Sequence, residues 1–132
     1  MTTKEYLMQY INAKKRLKAI SEEMILIRSE AMKITPVISD MPSGYRVTDK
    51  IELSAEKLDE CAAKLEKETK RLQRAMEDVE KAISSVSNAV YRQLLTLRYM
   101  NGYSLEQIAV AMNYSYRNVT RLHGKALSKV VL

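Results

Sequence analysis

Ser115, Tyr116, Arg117, Thr120, Arg121 and Lys125 crowd one short stretch near the end of the chain. On a helix, positions 116, 117, 120, 121 and 124 share one side, opposite Val119, Leu122 and Ala126. Their chemistry is that of binding. Two guanidinium groups suit guanine O6 and N7, and Tyr116 and Thr120 suit thymine methyls or phosphates. Lys125 and Lys129 are placed for phosphates, and a helix starting at Ser115 leaves its first N–H groups facing an anion. That is the layout of a helix that reads a DNA major groove. Nothing comparable suggests bond-making chemistry. There is no glycine-rich phosphate loop and no supported Ser/His or Cys/His pair. The single histidine, His123, has no second His to form a metal site and reads as a surface side chain. No catalytic residue, metal or cofactor is expected, and the chain is not expected to be an enzyme.

Such side chains need a rigid support, and the flanking sequence supplies one. Leu105, Ile108, Ala109 and Met112 repeat at helical spacing, as do Val119, Leu122, Ala126, Leu127 and Val130. Ser104 with Gln107 forms a capping box at the start of the first pattern. Asn113 tolerates the left-handed conformation that would close it. Ser115 caps the second pattern. Upstream, Asn88 is a candidate N-cap for a helix ending at Asn101-Gly102, with Val90, Leu94, Leu95, Leu97 and Tyr99 available for burial. The stretch Ser84 to Val90 reads as a junction, although the apolar seam passes through it and a continuous helix stays open. Gly124 interrupts the last helix at a cost of about 1 kcal/mol relative to Ala. Close packing of two backbones is the preferred reason, and close approach to DNA the other.

The residues from Leu97 to Leu127 resemble region four of bacterial sigma factors, which binds the promoter −35 element. The shared features are Leu97-Arg98-Tyr99, Gly102, the Ser104-Leu105-Glu106-Gln107-Ile108-Ala109 helix, Ser115, Val119 and Lys125-Ala126-Leu127. By that resemblance the base contacts fall on Tyr116, Arg117 and Arg121, with Thr120 and Lys125 serving the backbone. Sigma factors commonly carry Arg, Glu and Gln at the base-reading positions, so the target sequence does not transfer. Nothing before residue 88 is similar to a region that melts DNA. Helices in front of a sigma-like terminal module resemble phage and prophage late-gene transcription activators.

The rest of the chain is patterned as a carrier. Thr2 and Glu5 make a capping box. A heptad seam then runs through Tyr6, Tyr10, Ala13, Leu17, Ile20, Met24, Ile27, Ala31 and Ile34. Leu7, Ile11 and Ile25 widen it, which suits a bundle. Both prolines and Gly44 lie in 35–49, an expected connector where Tyr45 and Val47 have helices to pack on and a contact role is the alternative. Asp49 and Glu52 have capping-box spacing. A second seam is expected at Ile51, Ala55, Leu58, Ala62, Leu65, Thr69, Leu72, Met76, Val79, Ile83, Val86 and Val90. Cys61 lies beside it as a small half-buried residue. The outer face, rich in Glu and Lys at opposite-sign spacing, is a solvated one.

The expected fold is therefore all-α. A long, antiparallel, coiled-coil-like hairpin occupies 1–87, with helices at about 3–34 and 50–87 and a loop at 35–49. A three-helix helix-turn-helix module occupies 88–132. Two seamed helices bury little alone, so the hairpin is expected to pair with a second copy as a homodimer with a four-helix core.

Charge supports this division. The chain of 132 residues has a net charge of +6. From residue 90 onward, Arg92, Arg98, Arg117, Arg121, Lys125 and Lys129 face the single acid Glu106, so +5 of the excess lies there. A local positive field is what a phosphate-binding surface needs. One cysteine excludes an intramolecular disulfide. No apolar run of about 18 residues exists, so no membrane span is expected. The N-terminus lacks the apolar run of a signal peptide. A bacterial cytoplasmic location follows as the expectation. The function these features favour is sequence-specific transcription regulation on double-stranded DNA, with RNA polymerase as a further candidate partner. Two other classes fit in part: a DNA-packaging component like a phage small terminase subunit, and a helical protein whose terminal module binds another protein such as polymerase.

Overall fold

A computed structural model describes residues 1–34 and 45–132, with the side chains of Ile34 and of 45–50 outside that description. Five α-helices and no strand are present among the described residues: α1 Thr3–Ile34, α2 Tyr45–Ser84, α3 Ala89–Tyr99, α4 Leu105–Met112 and α5 Tyr116–Ser128. None of them is long and apolar enough to cross a membrane.

The helix ends follow their local chemistry. At the start of α1 the Thr2 N–H donates to Glu5 Oε2 at 3.2 Å, and the Glu5 N–H donates to Thr2 Oγ1 at 3.2 Å. That is the reciprocal capping box. The helix then runs without Gly or Pro until the approach to Pro36. The second helix corrects two expected boundaries. It begins at Tyr45, directly after Gly44 in the chain, so the Asp49/Glu52 spacing lies inside the helix and not at its start. A capping signal is only a local option, and with no breaker at 45–49 the helix propagates back past it. The helix also stops at Ser84 instead of 87. Asn88 takes over there, its Oδ1 accepting from the Val90 and Tyr91 N–H groups at 2.9 and 3.2 Å. Arg92 latches the break by donating to the Val86 and Ser87 carbonyls, both at 2.8 Å. The anticipated packing of Tyr45 and Val47 lies outside the described residues.

The chain divides into two compact units, to which α1 and α2 both contribute. One comprises Lys15–Lys70. Here Arg16 meets Glu68, while Leu26, Ile27 and Glu30 share a hollow with Ser54 and Lys57. As one residue number rises the other falls, so the two helices run antiparallel. The seam of α2 is rotated from the expected one. Leu58, Leu65, Leu72 and Val79 are shared, but the companion column is Ser54, Cys61, Glu68, Ala75 and Ala82. Ala62, Thr69 and Met76 are exposed. Cys61 is thus buried in the seam, not half-buried beside it. Glu68 is the reason the sequence misleads. A carboxylate is a poor seam residue unless paired, and Arg16 Nε donates to Glu68 Oε2 at 3.1 Å.

The other unit comprises Met1–Lys14 and Arg71–Leu132. Its larger core gathers Leu7 from α1, Val79, Ala82 and Ile83 from α2, Val86 from the junction, Leu95 and Tyr99 from α3, and Ala126 from α5. A smaller core of Leu94, Ile108, Ala109 and Val119 holds α3, α4 and α5 together. The larger core runs across the division anticipated between residues 87 and 88. The first turns of α1 and the end of α2 are packed against the terminal helices as part of one apolar interior.

Candidate nucleic-acid interface

Helix α3 provides the platform, with Leu94, Leu95 and Tyr99 fully buried. It ends at Tyr99, and in the turn beyond it Gly102 takes a φ of +75°, which needs a residue without a Cβ penalty. The Tyr103 N–H donates back to the Leu97 carbonyl at 3.0 Å, and Arg98 Nη1 donates to the Tyr103 carbonyl at 3.0 Å. These bonds close the turn into α4.

Helix α4 starts on a complete capping box. The Ser104 N–H donates to Gln107 Oε1 at 2.9 Å and the Gln107 N–H to Ser104 Oγ at 3.1 Å. It ends on Asn113 at φ 58°, ψ 43°, the only non-glycine residue with positive φ among those described. The Tyr114 N–H reaches the Ala109 carbonyl at 2.9 Å and the Asn113 N–H reaches Val110 at 3.2 Å. This Schellman closure holds a short turn before α5. Asn is one of the few residue types that takes this conformation at modest cost.

Helix α5 begins at Ser115, whose Oγ accepts from the Asn118 N–H at 3.1 Å. Val119 and Ala126 are fully buried, and Leu122 and Leu127 half-buried. The opposite side carries all six expected residues, Ser115, Tyr116, Arg117, Thr120, Arg121 and Lys125, and every one is exposed. The structure therefore brings them to one surface. Two are less free than their types suggest. Thr120 Oγ1 donates to the Tyr116 carbonyl at 2.9 Å, which leaves only its lone pairs and methyl for a ligand. Arg121 Nη2 donates to Asn118 Oδ1 at 2.7 Å. Ser115, Arg117, Asn118 and Arg121 together line a hollow of about 270 Å³.

Asn118 was not among the residues singled out from the sequence. Its signal was its place three residues before Arg121, the spacing at which helical side chains meet. Two further expectations change. Gly124 is exposed, and a Cβ built there meets nothing within 4 Å among the described residues, so none of their backbone packs on it. His123 is half-buried, not a plain surface residue. Its Nε2 lies 2.8 Å from the Tyr99 hydroxyl, and the two rings stack at a centroid distance of 5.8 Å. Burial first, then the positive charges of Arg98 and Lys4, push the imidazole below its ordinary range. Burial raises the Tyr99 phenol, opposed by Arg98.

No group of His, Cys, Asp and Glu among the described residues is arranged to hold a metal ion. The surface offers cationic, amide and hydroxyl groups on a rigid helix, which is chemistry for contacting phosphates and base edges. Compared with known families, residues 88–130 match Sigma-70, region 4. Neither the curated proteins nor the solved structures give a match to the chain. The matched residues take in α3, α4 and α5 with their caps. Residues 88–130 thus form a helix-turn-helix module of the DNA-binding kind, similar to Sigma-70, region 4.

Proposed function

We propose that the protein is a sequence-specific transcription regulator, encoded by a phage or prophage, that acts in the bacterial cytoplasm without enzymatic activity. It reads the major groove with α5. The carrying observation is the exposed row of Tyr116, Arg117, Thr120, Arg121 and Lys125 on a helix whose other side is locked in the core. The N-terminal hairpin joins two copies, so that two readers address one site. Support for pairing comes from large apolar side chains left in solvent on the hairpin: Ile25, Leu26, Met32 and Leu53 are each more than half exposed. Such groups gain by burial against a second copy. RNA polymerase is the further partner, in keeping with the sigma-like domain.

The test is a titration of the full chain against duplex DNA at several salt concentrations. Affinity should fall steeply with salt, because bound phosphates release counterions. Arg117→Ala and Arg121→Ala should each weaken binding to a selected duplex by about 1–3 kcal/mol. If neither substitution changes binding at fixed salt, α5 is not the reading surface. Solution mass decides the assembly: a dimer supports this reading, whereas a ring of many subunits would favour a DNA-packaging component.

A further inference from the structure

We propose that Asn118 is a positioning residue that presets Arg121 as the guanine-reading side chain, an inference that rests on the DNA-binding role of α5. Two linked contacts and the partial burial of Asn118 carry it. Ser115 Oγ accepts from the Asn118 backbone N–H at 3.1 Å, which fixes the first turn. Asn118 is itself half-buried. Its Oδ1 then takes one donor of Arg121 Nη2 at 2.7 Å. A guanidinium carries five N–H donors in a planar fork. With one engaged by Asn118, the remaining donors still present the pair that guanine O6 and N7 accept.

The two arginines of the hollow thereby differ. Arg121 is oriented before DNA arrives, and less side-chain freedom remains to be lost on binding. Arg117 has no such bond among the described residues and is left to follow a phosphate. One contact pattern thus divides the labour: Arg121 specifies a base, and Arg117 supplies sequence-independent attraction.

The experiment uses the full chain. Duplexes are selected from a random pool by the wild-type protein, and the base preference at each position is then measured for variants. Arg121→Ala should abolish a guanine preference at one position. Asn118→Ala keeps the backbone N–H that Ser115 caps, so helix content should not change. It should lower that same preference about tenfold, within the range of one bidentate contact, while the salt slope stays as in the wild type. The double variant Asn118→Ala/Arg121→Ala should behave as Arg121→Ala alone. Asn118→Asp should weaken binding to every sequence and reduce the salt slope by about one, because a carboxylate neutralises Arg121. An unchanged guanine preference in Asn118→Ala, or additive losses in the double variant, would overturn the positioning role and leave DNA binding intact. A wild-type chain that shows no salt-dependent DNA binding would instead remove the underlying reading.

Discussion

Gly124→Ala separates what α5 needs as a helix from what it needs as a reader. Gly is about 0.8–1.0 kcal/mol worse than Ala in a helix interior. Here the new methyl has room, since a Cβ at this position meets nothing within 4 Å and the residue is exposed. Nor is a left-handed backbone required, because the only glycine with positive φ is Gly102 among those described. The substitution should therefore stabilise the chain by about 1 kcal/mol, raising Tm by about 3–5 °C for a protein of this size. Position 124 also lies on the same stripe as Arg117 and Arg121, seven and three residues before it. A DNA backbone seated along that stripe would meet the added methyl. The variant should melt higher yet bind a selected duplex several-fold more weakly at fixed salt. Circular dichroism melting and fluorescence anisotropy measure the two halves. A Tm that stays put or falls would refute the open-space argument. A higher Tm with unchanged affinity would show that DNA does not approach α5 at this turn.

Two other outcomes follow from the cores. Leu7 is fully buried in the cluster that also holds Val79, Tyr99 and Ala126, so Leu7→Ala should cost about 2–5 kcal/mol. Urea unfolding should show that loss, and an unchanged midpoint would mean that the first turns of α1 do not belong to the reader's core. Stability should also depend on His123. Its folded pKa lies below the usual 6.5, so the unfolded chain binds the extra proton. The contribution is fully present above about pH 6.5 and is lost as pH falls from there toward the folded pKa. His123→Gln should flatten that part of the stability profile, whereas an unaltered slope would place its origin elsewhere.

Some of this structure was legible because it is set by neighbours in the chain. The Thr2/Glu5 and Ser104/Gln107 boxes, the Asn88 and Ser115 caps and the left-handed Asn113 all act over three or four residues. The helix-turn-helix and its exposed row follow from apolar periodicity, which places Val119 and Ala126 inward and Arg117 and Arg121 outward. The start of α2 was missed because a capping spacing at Asp49 competes with simple helix propagation, and the intervening residues hold no breaker.

Local chemistry and apolar period are enough to imply an all-helical fold, a basic terminal helix-turn-helix and the side of α5 that faces solvent. Other features depend on contacts between residues far apart in the chain. Glu68 occupies the α2 seam because Arg16, distant in sequence, reaches it. His123 is held by Tyr99, whereas a Cβ at Gly124 would meet nothing within 4 Å among the described residues. Leu7 joins the reader's interior across most of the chain's length. These pairings are invisible to periodicity, which says which face is apolar but not which partner will cover it.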